Sequence, residues 1–99
     1  MATYFISRHQ GAKDWAKQQG IEVDRVQSHL NMEDIQPEDT VIGTLPIHLV
    51  AELCKRGAYY YHLILNLPEH LRGKELSVAD MQEAGANLKQ YTAEKISEK

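Results

Sequence analysis

The sequence is poor in several features that identify common classes of small protein. A single cysteine, Cys54, in 99 residues excludes an intrachain disulfide framework and a zinc knuckle built from several cysteines. A formal charge of −3 argues against a protein that coats long nucleic acid, because such proteins need an extended basic face. No apolar run approaches the roughly 20 residues of a membrane helix, and no charged-then-apolar leader opens the chain. We therefore expect a cytoplasmic protein that binds neither membranes nor long nucleic acid.

The histidines do not follow a metal-binding pattern. The sequence has five of them, and His29, His48, His62 and His70 fall on different predicted elements without an i, i+4 pair or a carboxylate partner at metal spacing. The sequence therefore predicts no metal site, and we expect no cofactor.

The apolar pattern alternates between short β-branched or aromatic runs and amphipathic helical runs. Strands are predicted over residues 3–7, 22–27, 40–44 and 58–65. Helices are predicted over residues 12–19 and 47–56, and a third begins at the capping box Ser77–Asp80. That last helix is expected to place Met81, Ala84, Gly85, Leu88 and Tyr91 on one face, and residues 92–99 form a charged tail.

Two strand–helix–strand halves in succession predict a parallel sheet with right-handed crossovers. We expect one Rossmann-like α/β domain over residues 1–99, with a mainly parallel four- to five-stranded sheet flanked by helices. The usual order of such a sheet places the first strand beside the third. Ligands of open α/β sheets bind beyond the carboxyl ends of the strands, where the winding direction reverses. This position is where a site is expected.

The richest group of polar residues lies directly after the first strand. Ser7, Arg8 and His9 precede Gly11 and a predicted helix, whose first N–H groups are unpaired and attract anions. We expect Arg8 to neutralise phosphate charge, assisted by Ser7, and His9 to move a proton, since imidazole titrates near neutral pH. The residues that lead into this helix and its first turn add candidate ligand contacts, namely Gln10, Gly11, Ala12 and Lys13.

The later strand ends supply further candidate contacts. Thr44, Leu45 and Pro46 follow the third strand, Asn66 follows the fourth, and Arg72 lies in a glycine-broken loop. Each has a purely structural alternative. Hydroxyls at strand ends, such as Ser7 and Thr44, commonly cap neighbouring backbone groups.

Three separated stretches carry a family resemblance. They are TYFISRH over residues 3–9 with Gly11–Ala12, DTVIGTLP over residues 39–46, and the segment 62–76 with HL, LP and LRGKEL. In this order they closely resemble the small CRISPR-associated proteins of the sixteenth "Csx" family, which accompany type III systems. The resemblance covers all of the chain except the charged tail.

The resemblance implies a Rossmann-like domain related to the CARF sensor domains of CRISPR ancillary proteins. It also implies a homodimer that acts on cyclic oligoadenylates as a ring nuclease, opening cyclic tetra-adenylate and thereby switching off the effectors that this messenger activates. Such an enzyme needs no metal, because the ribose 2′-hydroxyl attacks the adjacent phosphorus and leaves a 2′,3′-cyclic phosphate.

Other functions remain open at the level of sequence. The same crevice could sequester the cyclic messenger without cutting it. A phosphatase with a histidine nucleophile is a further alternative, but such enzymes place glycine directly after the histidine, and here Gln10 intervenes. A purely structural partner protein would leave the polar group Ser7–Gly11 unexplained.

Overall fold

The computed structural model describes residues 1–96, which form five strands and three α-helices. In chain order these elements are β1 (Thr3–Ile6), α1 (Gln10–Gln18), β2 (Arg25–Gln27), β3 (Thr40–Gly43), α2 (Ile47–Lys55), β4 (Tyr59–Ile64), α3 (Val78–Glu83) and β5 (Asn87–Tyr91). Single 3₁₀ turns lie at Met32–Asp34 and Glu69–Leu71.

The five strands form one sheet in the order β2-β1-β3-β4-β5. The pairs β1–β2, β1–β3 and β3–β4 are parallel, whereas β5 runs antiparallel to β4. The expected adjacency of the first and third strands is confirmed, as is the small Rossmann-like α/β fold. Because β1, β3 and β4 are parallel, their carboxyl ends meet at one edge of the sheet.

Helices cover both faces of the sheet and create two hydrophobic cores. Phe5 and Leu63 pack on one face with Trp15 of α1 and Met81 of α3. On the other face, residues of β1, β3 and β4 pack with α2, among them Tyr4, Val41, Leu53 and Tyr60. Full burial of one such apolar side chain contributes about 1.5–3 kcal/mol, so both layers hold the strand ends in place.

The predicted last helix is wrong in its second half. Helix α3 begins after the expected capping box between Ser77 and Asp80, but it ends at Glu83 because Gly85 adopts a φ of +68°. The chain then enters β5, in which Leu88 pairs with Leu63 and Tyr91 with Tyr60. Residues three apart lie on opposite faces of a strand, so Leu88 joins the core around Phe5, whereas Tyr91 lies against His62 on the other face.

The predicted charged tail lies only partly within the described residues. Thr92–Ile96 follow β5 without regular secondary structure, and residues 97–99 lie outside the described part of the chain.

A buried carboxylate fixes the entry into β3. Asp39 is 3% exposed, and its two oxygens accept hydrogen bonds from the backbone N–H groups of Ala2 (2.9 Å) and Gln36 (2.8 Å). Burial alone raises the pKa of Asp39, but these N–H donors outweigh it and hold the pKa below the ordinary value of 3.8. A carboxyl with a lowered pKa stabilises the fold above its unfolded-state pKa, and this contribution is lost as the pH falls below about 4.

We therefore expect Asp39→Asn to lower the free energy of unfolding by about 1–3 kcal/mol at neutral pH. The difference from wild type should be smaller at about pH 3, because the stability contributed by a carboxyl with a lowered pKa fades below its unfolded-state pKa. Urea unfolding at neutral pH and at about pH 3 measures the free energy of unfolding of both proteins. Asp34→Asn, which alters an exposed carboxylate, is the matched control. A difference that does not depend on pH would contradict the assignment.

Candidate functional site

A cavity of about 400 Å³ opens at the carboxyl ends of β1, β3 and β4. Its position is where the winding direction reverses, since α1 and α2 leave β1 and β3 toward opposite faces of the sheet. Apolar side chains of β4, α3 and the segments beside them form much of its wall. Four polar residues complete the lining: Ser7, His9, Thr44 and His62.

Ser7 shapes the turn from β1 into α1. Its hydroxyl oxygen accepts a hydrogen bond from the backbone N–H of His9 at 3.1 Å. The structural role that sequence reasoning offered for Ser7 is therefore present, and it leaves the hydroxyl hydrogen available to a ligand. Ser7 thus holds His9 at the cavity while it lines the cavity itself.

His9 is the N-cap residue of α1, and its imidazole lies between the cavity and a carboxylate. The side chain is 39% exposed, but Nδ1 is enclosed and has no hydrogen-bond partner within residues 1–96. The nearest acidic group is Glu75, whose Oε2 lies 3.7 Å from Nδ1 and forms an ion pair when the imidazole is protonated. The imidazole of His9 therefore has a carboxylate on one side and the cavity on the other.

The N-terminus of α1 already has a carboxylate partner. Oε1 of Glu75 accepts a hydrogen bond from the backbone N–H of Gln10 at 3.0 Å. Gly11 packs against the same segment, since a Cβ atom there would lie 1.9 Å from the backbone oxygen of Leu76. The structure therefore brings Gln10 and Gly11 to the segment before α3, whereas sequence reasoning made both residues candidate contacts of a ligand.

The other candidate residues divide into three groups. Thr44 and the buried Ala12 line the cavity. The backbone N–H of Leu45 bonds to Tyr60, and Pro46 is the N-cap residue of α2. Exposed residues outside the cavity lining are Arg8, Lys13, Asn66 and Arg72.

Sequence reasoning missed His62 as a member of this site. His62 pairs with Gly43 in the register of β3 and β4, and it lines the cavity from β4, on the face of the sheet that it shares with Tyr60. Its Nδ1 lies 2.6 Å from the hydroxyl of Tyr60. The available signal was a lone imidazole in an otherwise apolar strand, two residues after a tyrosine on the same face.

The hydroxyl of Tyr60 connects three elements of the site. It receives the N–H of Leu45 at 2.9 Å and lies 2.9 Å from the carbonyl oxygen of Gly43, in addition to its contact with His62. Burial raises the pKa of Tyr60, so the phenol keeps its proton at neutral pH. This network ties the end of β3 to the imidazole on β4.

A second groove of about 1,000 Å³ lies between α2 and residues 92–95. It is larger, but it runs along the outside of a helix rather than beyond the strand ends. The cavity beside Ser7 combines a switch point with convergent polar groups, and it is the better candidate site.

Two features are absent from residues 1–96. No helix is long and apolar enough to cross a membrane. No cluster of three or more histidine, cysteine, aspartate or glutamate side chains could hold a metal ion.

A small doubly wound α/β domain with helices on both faces of a mainly parallel sheet places the chain in the class of Rossmann-like domains. A comparison with protein families assigns the chain more narrowly. Residues 4–94 match the family described as "Putative CRISPR-associated protein (Cas_VVA1548)", and the chain belongs to that family. Curated proteins and solved structures yield no match.

Proposed function

We propose that this chain is a ring nuclease that binds cyclic tetra-adenylate and opens it without a metal, thereby switching off type III CRISPR signalling. The observation that carries the proposal is the cavity at the switch point, where Ser7, His9, Thr44 and His62 converge. Membership of a CRISPR-associated family supports a role in CRISPR defence. The substrate class is proposed from the resemblance of residues 3–76 to the sixteenth Csx family.

The chemistry requires positioning, charge and proton transfer. The 2′-hydroxyl loses its proton as its oxygen bonds to phosphorus, and the bond from phosphorus to the 5′-oxygen breaks as that oxygen gains a proton. Alignment of the three atoms can contribute several kcal/mol to the rate enhancement. Two histidines at the cavity give the protein groups for both proton movements.

Charge neutralisation falls to the rim of the crevice. A ring of four nucleotides is larger than the 400 Å³ cavity and extends over its edge. Arg8 is exposed there and forms no ion pair with a carboxylate in the described part of the chain. Its guanidinium can bind phosphoryl oxygens in a bidentate geometry. Asn66 and Arg72 are candidates for adenine edges or further phosphates.

A homodimer would complete the site. Each cavity accommodates only part of the ring, and a two-fold axis through the ligand would let two protomers contact equivalent halves of it. Light scattering of the protein with and without cyclic tetra-adenylate measures the oligomeric state. A complex of one protomer with one ring would contradict this arrangement.

The decisive experiment incubates purified protein with cyclic tetra-adenylate in the presence of a chelator, denatures it and resolves the nucleotides by chromatography. We expect linear products with a 2′,3′-cyclic phosphate. Recovery of the intact ring after tight binding would replace the ring nuclease with a protein that sequesters the messenger. Absence of binding would contradict both functions.

Glu75 provides a test of where the anionic ring lies. Glu75→Gln keeps an oxygen that can accept the Gln10 N–H but removes a negative charge beside His9. We expect affinity for cyclic tetra-adenylate to rise roughly 3- to 10-fold at low salt, with a smaller gain at high salt. Isothermal titration measures it, and Glu33→Gln, on the exposed turn after Asn31, is the matched control. Unchanged affinity would place the ring away from α1.

A further inference from the structure

We propose that His62 is the catalytic base of this crevice, the group that takes the proton from the attacking 2′-hydroxyl, and that Tyr60 fixes its imidazole in the tautomer that permits this. The proposal rests on the proposed function and deepens it, because it assigns one of the two proton transfers to a named nitrogen.

The hydrogen bonds of Tyr60 determine the tautomer. The N–H of Leu45 can only donate to the hydroxyl oxygen, and the carbonyl of Gly43 can only accept. A phenol has one hydrogen, so a bond to Gly43 uses it. Nδ1 of His62, 2.6 Å from the same oxygen, must then carry a hydrogen and donate it.

The opposite assignment is unfavourable. If the phenol donated to Nδ1 instead, the Gly43 carbonyl oxygen would face the Tyr60 oxygen at 2.9 Å with no hydrogen between them. Such a contact between two acceptors in a buried position is repulsive. The network therefore favours neutral His62 with hydrogen on Nδ1 and a lone pair on Nε2.

Nε2 is free to act. Within residues 1–96 it has no hydrogen-bond partner, and it is not among the enclosed polar atoms that lack one, so it reaches open space. His62 lines the cavity in which a ribose would lie. A neutral imidazole held by a second residue through one nitrogen, with the other nitrogen facing a reacting group, is a standard arrangement for a base.

In the reaction step, proton transfer to His62 accompanies the bond changes at phosphorus. Nε2 takes the 2′ proton while the 2′-oxygen bonds to phosphorus, and the bond to the 5′-oxygen breaks. The departing oxygen receives its proton from His9 or from water. Imidazolium at position 62 then returns its proton to solvent before the next cycle.

Titratable and aromatic groups surround His62. On its own strand it contacts Tyr60, and on β5 it faces Lys89 in the strand register and the ring of Tyr91, whose centroid is 5.8 Å away. His9 lines the same cavity from the start of α1. Activity should rise with pH as His62 loses its proton, because only the neutral form can accept one.

The first test observes the imidazole nitrogens of the wild-type protein by ¹⁵N NMR, above the pH at which His62 titrates. We expect the spectrum of an Nδ1–H tautomer, with Nε2 unprotonated. In Tyr60→Phe we expect a mixture of tautomers and roughly a 10-fold slower cleavage, as for other residues that orient a functional histidine. An Nε2–H tautomer in the wild type would overturn the assignment without reference to any enzymatic activity.

The second test measures single-turnover cleavage and ring binding for His62→Gln, with His29→Gln as the matched control at an exposed histidine. We expect His62→Gln to slow cleavage at least about 100-fold with affinity within about threefold, and to lose the rise of rate with pH. Cleavage at the wild-type rate by a folded His62→Gln would overturn the proposal and leave the proposed function intact. A wild-type protein that returns the intact ring would instead contradict the proposed function, and the proton transfer with it.

Discussion

Alanine in place of His9 is expected to slow the opening of cyclic tetra-adenylate by at least about 100-fold while leaving affinity for the ring within about threefold. The imidazole lines the cavity and is partly exposed to it, with Glu75 3.7 Å from Nδ1. If His62 takes the 2′ proton, the transfer that remains is to the departing 5′-oxygen. Protonated His9, paired with Glu75, is the group placed to make it.

The pH dependence separates the two histidines. A base must be unprotonated and an acid protonated, so the wild-type rate should rise and then fall with increasing pH. His9→Ala should lose the fall at high pH, whereas His62→Gln should lose the rise at low pH. Single-turnover rates over a pH series measure both limbs, and His29→Ala is the control. Loss of ring binding in His9→Ala would make His9 a ligand contact instead of a proton donor.

Much of the fold could be predicted because local and long-range preferences agree. The apolar run 58–65 contains β4, and residues 47–56 contain α2, which Pro46 precedes and Gly57 follows. The prediction of the last helix was wrong in its second half because Leu88 and Tyr91 lie three residues apart. This spacing fits one face of a helix, but it also fits a strand that is packed on both faces. Gly85, placed on the helical face, was in fact the residue that ended the helix.

The candidate site was predictable only where it depends on strand order. Ser7 and Thr44 meet because β1 lies beside β3, and sequence patterns indicate that order. Glu75 lies 65 residues from Gln10 along the chain, and no local pattern reveals that a carboxylate will reach the N-terminus of α1. Tyr60 and His62 are close in sequence. The way Tyr60 orients His62, however, depends on its hydrogen bonds with Gly43 and Leu45 of a neighbouring segment.

Substitution of Gly11 by alanine is expected to destabilise the protein by about 3 kcal/mol or more, at the upper end of the range for overpacked sites. The added Cβ atom would lie 1.9 Å from the carbonyl oxygen of Leu76, which belongs to the backbone and cannot rotate away. For a chain of this length, the expected fall in melting temperature is at least about 10 °C. Thermal and urea unfolding measure it.

Gly20→Ala is the control that separates steric crowding at an added Cβ atom from the cost of an unfavourable backbone conformation. Gly20 has a φ of +76° with no atom within 4 Å of an added Cβ, so alanine there meets only the cost of the left-handed conformation, about 1–2 kcal/mol. At Gly11, neighbouring atoms exclude a side chain, whereas the backbone φ does not. Since the segment against Gly11 also carries Glu75, a partly folded Gly11→Ala should show altered ring affinity as well. Equal, small losses in both variants would mean that residues 75–77 move away from α1 readily, and Glu75 would then be no fixed neighbour of His9.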